Sequence, residues 1–139
     1  VISMPQTLDE ERPAVVIRAD DAWRDTPVLA ELLAGLEEEG VPGRVDWVSA
    51  AAPGQDVPAA VAMAHEAALA SRLEVGLGLD HSGALALHQR RQPVEAPLMV
   101  VPARLVDRPT ARAMGMNAAR LVKVQPLEIL GDAHGREGP

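Results

Sequence analysis

The stretch Leu73-Glu74-Val75-Gly76-Leu77-Gly78-Leu79-Asp80-His81-Ser82-Gly83-Ala84-Leu85-Ala86-Leu87-His88 reads as a strand, a turn and a second strand running back. Asp, Ser and Gly collect in the turn, and apolar runs flank it on both sides, as a hairpin requires. Gly76, Gly78 and Gly83 outline part of a glycine-rich nucleotide loop, but that motif needs a helix after its glycines so that the helix N-terminus can receive phosphates. Here the turn leads into another strand. The glycines are instead read as places where a neighbouring element packs closely against a central strand.

Upstream of the hairpin, strands and helices alternate. Ala14-Val15-Val16-Ile17 is a short continuous apolar run, suited to a strand buried on both faces. Asp25 or Thr26 can cap a following helix, with Pro27 at its first position. Leu29, Leu32, Leu33 and Leu36 form one helical stripe, and Gly40-Val41-Pro42 marks its end. Arg44-Val45-Asp46-Trp47-Val48 alternates as a strand near an edge, and 50–56 is a loop. Pro58 to Ser71 is an alanine-rich helix whose inner face takes Val61, Ala64, Ala68 and Leu69.

Downstream, Gln89 to Pro97 is a polar loop, and Leu98-Met99-Val100-Val101 is a last short strand. From Thr110 the helical period returns, with Ala111, Met114, Ala118, Leu121 and Val122 on the inner face. Arg112, Met116, Arg120 and Lys123 then form a basic stripe on the outer face. The order predicts a three-layer α/β/α sandwich with a mixed, mostly parallel sheet of about five strands and one antiparallel hairpin strand. The expected organisation is a flexible arm over 1–13, one α/β domain over 14–130 and a flexible tail over 131–139.

Composition narrows the function. The 139 residues include no cysteine, no Phe and no Tyr, and Trp23 and Trp47 are the only large rings. Disulfides, thiolate chemistry and zinc–cysteine sites are therefore excluded. No apolar run is long enough for a membrane span and no signal-peptide pattern opens the chain, so the expected location is the cytoplasm. Net charge is −7. Residues 1–70 carry four Lys or Arg against 13 Asp or Glu, and the remainder carries nine against seven. No basic run interleaved with aromatics is present to neutralise phosphates, which argues against nucleic acid; the polarity suits docking between charged protein surfaces.

The histidines at 65, 81, 88 and 134 lack metal-ligand spacing. His65-Glu66 and Asp80-His81-Ser82 contain acid–base groups, yet nothing assembles a nucleophile, a base and an oxyanion site. More informative is Gly35-Leu36-Glu37-Glu38-Glu39-Gly40. Three carboxylates close a helix whose C-terminus is already the negative end of its dipole, so a compensating charge is expected. At about 100° per residue, Glu37 and Glu39 flank the leucine stripe and Glu38 points away from it. Water, a basic side chain of a partner and a hard cation such as Mg²⁺ are all candidates for that compensation.

The Gly35 to Pro42 segment, Ala70-Ser71-Arg72-Leu73-x-Val75-Gly76-Leu77-Gly78-Leu79-Asp80, and Gly115-Met116-Asn117-Ala118-Ala119-Arg120-Leu121-Val122-Lys123 together resemble the small subunit of diol/glycerol dehydratase reactivase. The match runs from about Ala14 to Pro126. The resemblance implies a non-catalytic subunit that partners an actin-like ATPase large subunit, which binds ATP or ADP. It implies a chaperone action on adenosylcobalamin-dependent dehydratases: the small subunit exchanges with the dehydratase's medium subunit against the dehydratase large subunit, releasing damaged cobalamin. It further implies Mg²⁺ at the interface of the two reactivase subunits with Glu38 as a ligand, and partner contacts through Glu37, Glu38, Glu39, Asn117, Arg120 and Lys123. Association with a bacterial microcompartment stays open.

The dehydratase medium subunit carries the same motifs in looser form and is the alternative reading. It usually has a longer N-terminal portion, a Ser-Lys-Gly-Thr-like turn where Asp80-His81-Ser82-Gly83 stands, and a longer segment where this chain has Gln92 to Pro97. Those differences favour the reactivase. Val124-Gln125-Pro126 and the segment from Pro102 to Pro109 depart from the family pattern. A generic small-ligand-binding α/β domain is a third reading, for which no pocket motif is present.

Overall fold

The structure is a computed structural model and describes residues 12–49 and 56–124. The element order is β1 (Val15–Asp20), a 3-10 turn (Asp21–Trp23), α1 (Pro27–Glu38), β2 (Gly43–Val48), α2 (Ala59–Ala70), β3 (Val75–Leu79), β4 (Leu85–Gln89), β5 (Met99–Val101), a second 3-10 turn (Ala103–Leu105) and α3 (Arg108–Val124). The sheet runs β2-β1-β3-β4-β5. β1 pairs in parallel with β2 and β3, while β4 is antiparallel to both β3 and β5. One strand of five therefore runs against the rest, as the hairpin stretch predicts. The expected arm over 1–13 and tail over 131–139 fall outside the described residues, apart from Arg12 and Pro13.

Alternation along the strands divides the core between two faces. Val15, Ile17, Ala19, Val75, Leu77, Leu79, Leu85 and Leu87 meet α1 and α3 in the larger cluster. On the other face Ala86 clusters with Ala60, Val61 and Ala64 of α2. Gly76 and Gly78 lie under that helix: a Cβ at Gly76 would strike the backbone of Ala64 and Ala68, and one at Gly78 the backbone of Ala60 and Ala64. An alanine-rich helix on a glycine-lined strand brings the two backbones close enough that a core without Phe or Tyr is still densely packed. The glycines serve packing, as the strand–turn–strand reading requires.

The segment ends follow local chemistry. Thr26 Oγ1 accepts from the Leu29 N–H and Pro27 opens α1. Gly40 takes φ +78 and ends the helix in the left-handed conformation that only glycine adopts freely. Ser71 is buried and donates to the Ala14 carbonyl at 2.6 Å while accepting from the Leu73 N–H at 3.0 Å, tying the start of β1 to the loop before β3.

Several boundaries differ from the sequence reading. β1 continues through Arg18 to Asp20: the Arg18 backbone stays in register with Asp46 and Gly78 while its side chain pairs with Asp46 and Glu66. β3 begins only at Val75, since Glu74 stands at φ +66. α3 begins at Arg108, where the Asp107 carboxylate accepts from the Thr110 N–H at 2.9 Å. Leu69 is 49% exposed and leaves the inner face of α2.

Candidate functional site

α1 and α3 lie side by side on one face of the sheet and touch at two glycines. A Cβ at Gly35 would fall on the carbonyl of Arg112, and one at Gly115 on the carbonyl of Leu32. Both glycines are the leading residues of the two sequence motifs, and their role is close helix–helix contact. Residues three and four positions from a helical site share its face. Glu31, Glu38 and Glu39 thus stand along the α1 side of the crossing and Arg112 along the α3 side; Arg120 and Lys123, about one and two turns beyond Gly115, reach the end of α1.

The result is an ion-pair ladder. Arg112 donates to Glu31 at 2.8 Å and to Glu38 at 3.1 Å, and Arg108 adds two 3.3 Å contacts to Glu31. Arg120 donates to Glu39 at 3.2 Å. Lys123 Nζ donates to the Glu39 carboxylate at 2.8 Å and to the Glu39 carbonyl at 3.0 Å. The last contact also satisfies a carbonyl left open at the helix end. The basic stripe of α3, expected to face outward, instead turns toward the acids of α1. Compensation for Glu38 and Glu39 therefore comes from within the chain.

Hydrogen bonding from Arg112, joined by Arg108, holds the Glu31 carboxyl below the ordinary glutamate range. Lys123, with Arg120, does the same for Glu39. The arginine between Glu31 and Glu38 is correspondingly raised, chiefly by its hydrogen bond to Glu31.

The six residues singled out in the sequence separate into groups. Glu38, Glu39, Arg120 and Lys123 belong to the ladder. Glu37 is exposed and makes no side-chain ion pair among the described residues. Asn117 lies on the other flank of α3 and donates to Met99 Sδ at 3.5 Å. The sequence reading left out Glu31, Arg108 and the role of Arg112. Glu31 lies four residues before Gly35 in sequence, and Arg112 three before Gly115, and that spacing from the motif glycines was the available signal.

Among the described residues, two carboxylates of the triplet keep capacity: Glu37 on both oxygens and Glu38 on one. The Glu38 side chain is 50% exposed against 18% for Glu39. Arg112 engages Oε1 of Glu38, and Oε2 has no hydrogen-bond partner among the described residues. A hexacoordinate Mg²⁺ commonly takes one or two carboxylates and fills its sphere with water or a partner's oxygens. Glu38 fits the part of a single donor. Among the described residues no group of three or more His, Asp or Glu is placed to hold a metal by itself.

Other polar assemblies are structural. Asp80 Oδ1 accepts from the N–H groups of Ser82, Gly83 and Ala84 and from Ser82 Oγ, so it is consumed by the turn. His81 is largely exposed and 3.4 Å from Asp20. His88 is fully buried; its Nε2 lies 3.0 Å from the Val94 carbonyl and its Nδ1 accepts from the Gln89 N–H, which anchors the 89–97 loop. An open groove of 630 Å³ between the start of α1 and β2 is lined by Arg24, Leu29, Leu33, Trp47 and Arg108 among others, and includes none of the six residues above. No helix of the described residues is long and apolar enough to cross a membrane.

Comparison with known proteins agrees with the motif pair. The family model described as dehydratase medium subunit matches residues 12–128. A probable glycerol dehydratase-reactivating factor small subunit of Citrobacter freundii is 39% identical over 115 residues, covering 83% of this chain and 92% of that protein. A solved glycerol dehydratase reactivase superposes with a TM-score of 0.70 at 36% identity, covering 84% of this chain and 96% of the other. A diol dehydratase-reactivating factor solved with ADP and Mg²⁺ gives 0.66 at 35% identity, covering 84% and 97%. The chain belongs to the dehydratase medium-subunit family, together with the small subunits of dehydratase-reactivating factors that it resembles.

Proposed function

We propose that this chain is the small, non-catalytic subunit of an ATP-dependent, chaperone-like reactivase for an adenosylcobalamin-dependent diol or glycerol dehydratase. The observation that carries the reading is the near-complete alignment with reactivating-factor small subunits, 92% of the Citrobacter protein at 39% identity. The α1–α3 ladder with its spare carboxylate adds a physical surface for the large subunit. On this reading an actin-like large subunit binds and hydrolyses the nucleotide. The small subunit docks through the Glu37–Glu39 end of α1 and the Arg120–Lys123 end of α3. Glu38 gives one oxygen to Mg²⁺ bridging the two chains, while Arg112 fixes the orientation of its carboxylate. That the diol dehydratase-reactivating factor was solved with ADP and Mg²⁺ supports the metal's presence in such complexes.

Likeness to the medium subunit gives the exchange its logic. A chain with the same fold can occupy that subunit's place on the dehydratase large subunit, loosening the enzyme so that damaged cobalamin leaves. The test is reactivation of an inactivated dehydratase by the large subunit with ATP, Mg²⁺ and fresh cofactor, with and without this chain. Recovery that requires the chain supports the proposal, and equal recovery without it refutes it. The family model's own description favours a second reading, the medium subunit itself. Dehydratase activity reconstituted with this chain in place of the medium subunit would establish that reading.

A further inference from the structure

Glu31 is the sheltered acid at the head of the ladder. Its side chain is 16% exposed against 50% for Glu38, and both of its oxygens are engaged. Oε1 accepts from Arg112 Nη1 at 2.8 Å, and Oε2 accepts from Arg108 Nε and Nη2 at 3.3 Å each. Hydrogen bonding from Arg112 keeps the Glu31 carboxyl below the ordinary glutamate range, so it is ionised at neutral pH. Glu31 thus holds two arginines of α3 and presents no free oxygen of its own.

Arg112 is fixed at two points. Nη1 rests on Glu31, while Nε reaches Glu38 at 3.1 Å on Oε1 alone. Left to itself, a guanidinium grips one carboxylate with two parallel N–H bonds. Glu31 and Glu38 stand seven residues apart on α1, roughly 10 Å along its axis, and a guanidinium that spans them gives each only part of its fork. Glu38 keeps Oε2 outside the pair in consequence. Without the Glu31 charge, nothing among the described residues holds Nη1, and the guanidinium is free to turn and take both Glu38 oxygens. That arrangement competes most directly with a cation for the same carboxylate.

We infer that Glu31 is a positioning residue for the subunit contact: by holding Arg112 at Nη1 it keeps Glu38 singly bonded, with Oε2 left to the Mg²⁺ that joins this chain to the large subunit. The inference rests on the proposed reading of Glu38 as the metal donor, and adds the residues that set its carboxylate. Arg108 belongs to the same device, because it holds the other Glu31 oxygen from one turn earlier on α3. Glu37 has no such holder among the described residues.

Calorimetry of the full chain with the reactivase large subunit, across a Mg²⁺ titration with ADP present, tests it. Glu31→Gln should cut the Mg²⁺-dependent gain in affinity about tenfold, the size expected when the support of a ligating carboxylate is removed. Binding without Mg²⁺ should stay within about twofold of wild type, since the support acts only on the metal-bound oxygen. Arg108→Gln, at a more exposed position, should act in the same direction and less strongly. In an Arg112→Gln background, Glu31→Gln should cause no further loss, because Glu31 acts through that guanidinium. Circular dichroism checks that each variant folds. A Glu31→Gln chain that titrates like wild type overturns the inference. So does one that loses Mg²⁺-free binding in the same proportion, or one whose loss persists at full size in the Arg112→Gln background. Failure of the underlying reading looks different: Glu38→Gln then keeps the whole Mg²⁺-dependent gain, or wild type shows none, and the inference falls with it.

Discussion

Gly115→Ala is the most informative single change in the fold, because two opposing effects of known size meet there. In an exposed helix, replacing Gly by Ala gains about 1 kcal/mol of helix propensity. At Gly115 the added methyl falls on the Leu32 carbonyl and lies 3.2 Å from the Gly35 Cα, so it meets backbone rather than a side chain that can rotate away. Overpacking of this kind costs about 1–3 kcal/mol, and rigid backbone on both sides places it at the upper end. The net expectation is a loss of about 2 kcal/mol. For a domain of this size that lowers Tm by roughly 8 °C. Ala113→Gly, on the exposed face of the same helix, is the control and should lose only about 1 kcal/mol. Thermal and urea unfolding of both variants give the values. A Gly115→Ala protein as stable as wild type, or more stable, would show that α1 and α3 do not cross in backbone contact.

Ser71→Ala should destabilise the chain by about 1–3 kcal/mol in urea unfolding, because the buried Ala14 carbonyl and Leu73 N–H lose their partner together. Acidification should lower stability through Glu31 and Glu39. Their folded pKa values lie below the ordinary range, so the contribution is complete above the unfolded value of about 4.3 and is lost as pH falls through the depressed folded values. In Glu39→Gln, the loss of stability measured from pH 6 downward should be shallower than in wild type.

The strand–turn–strand at residues 73–88 and the alternating units before it were legible because period-2 and period-3.6 patterns stayed distinct even in an alanine-rich chain. Thr26, Pro27 and Gly40 announced the ends of α1 for steric and hydrogen-bonding reasons that act within a few residues. Long-range facts were harder to read. An amphipathic pattern locates the polar side of α3 but does not say whether that side meets solvent or another helix. The basic stripe therefore read as outward, whereas the glycine crossing turns it toward Glu31, Glu38 and Glu39. Arg112 looked like one cation among several until its position between two carboxylates was known. Leu69 was misplaced because the buried stripe of α2 runs through Ala60, Val61, Ala64, Ala67 and Ala68, and Leu69 stands about 100° round the helix from Ala68. Of the acidic triplet, the helical angle picked out Glu38 as outward, whereas in the structure Glu38 pairs with Arg112 through one oxygen and Glu37 is the member with no ion pair among the described residues.

Association of the purified chain with the reactivase large subunit, followed by calorimetry across a Mg²⁺ titration with ADP present, bears most directly on the proposed role. Wild-type binding should strengthen as Mg²⁺ is added, and Glu38→Gln should lose most of that gain while its far-UV circular dichroism and Tm stay unchanged. Binding by Glu38→Gln that rises with Mg²⁺ as wild type does, or a wild-type chain that fails to bind the large subunit at any Mg²⁺ concentration, would contradict the account.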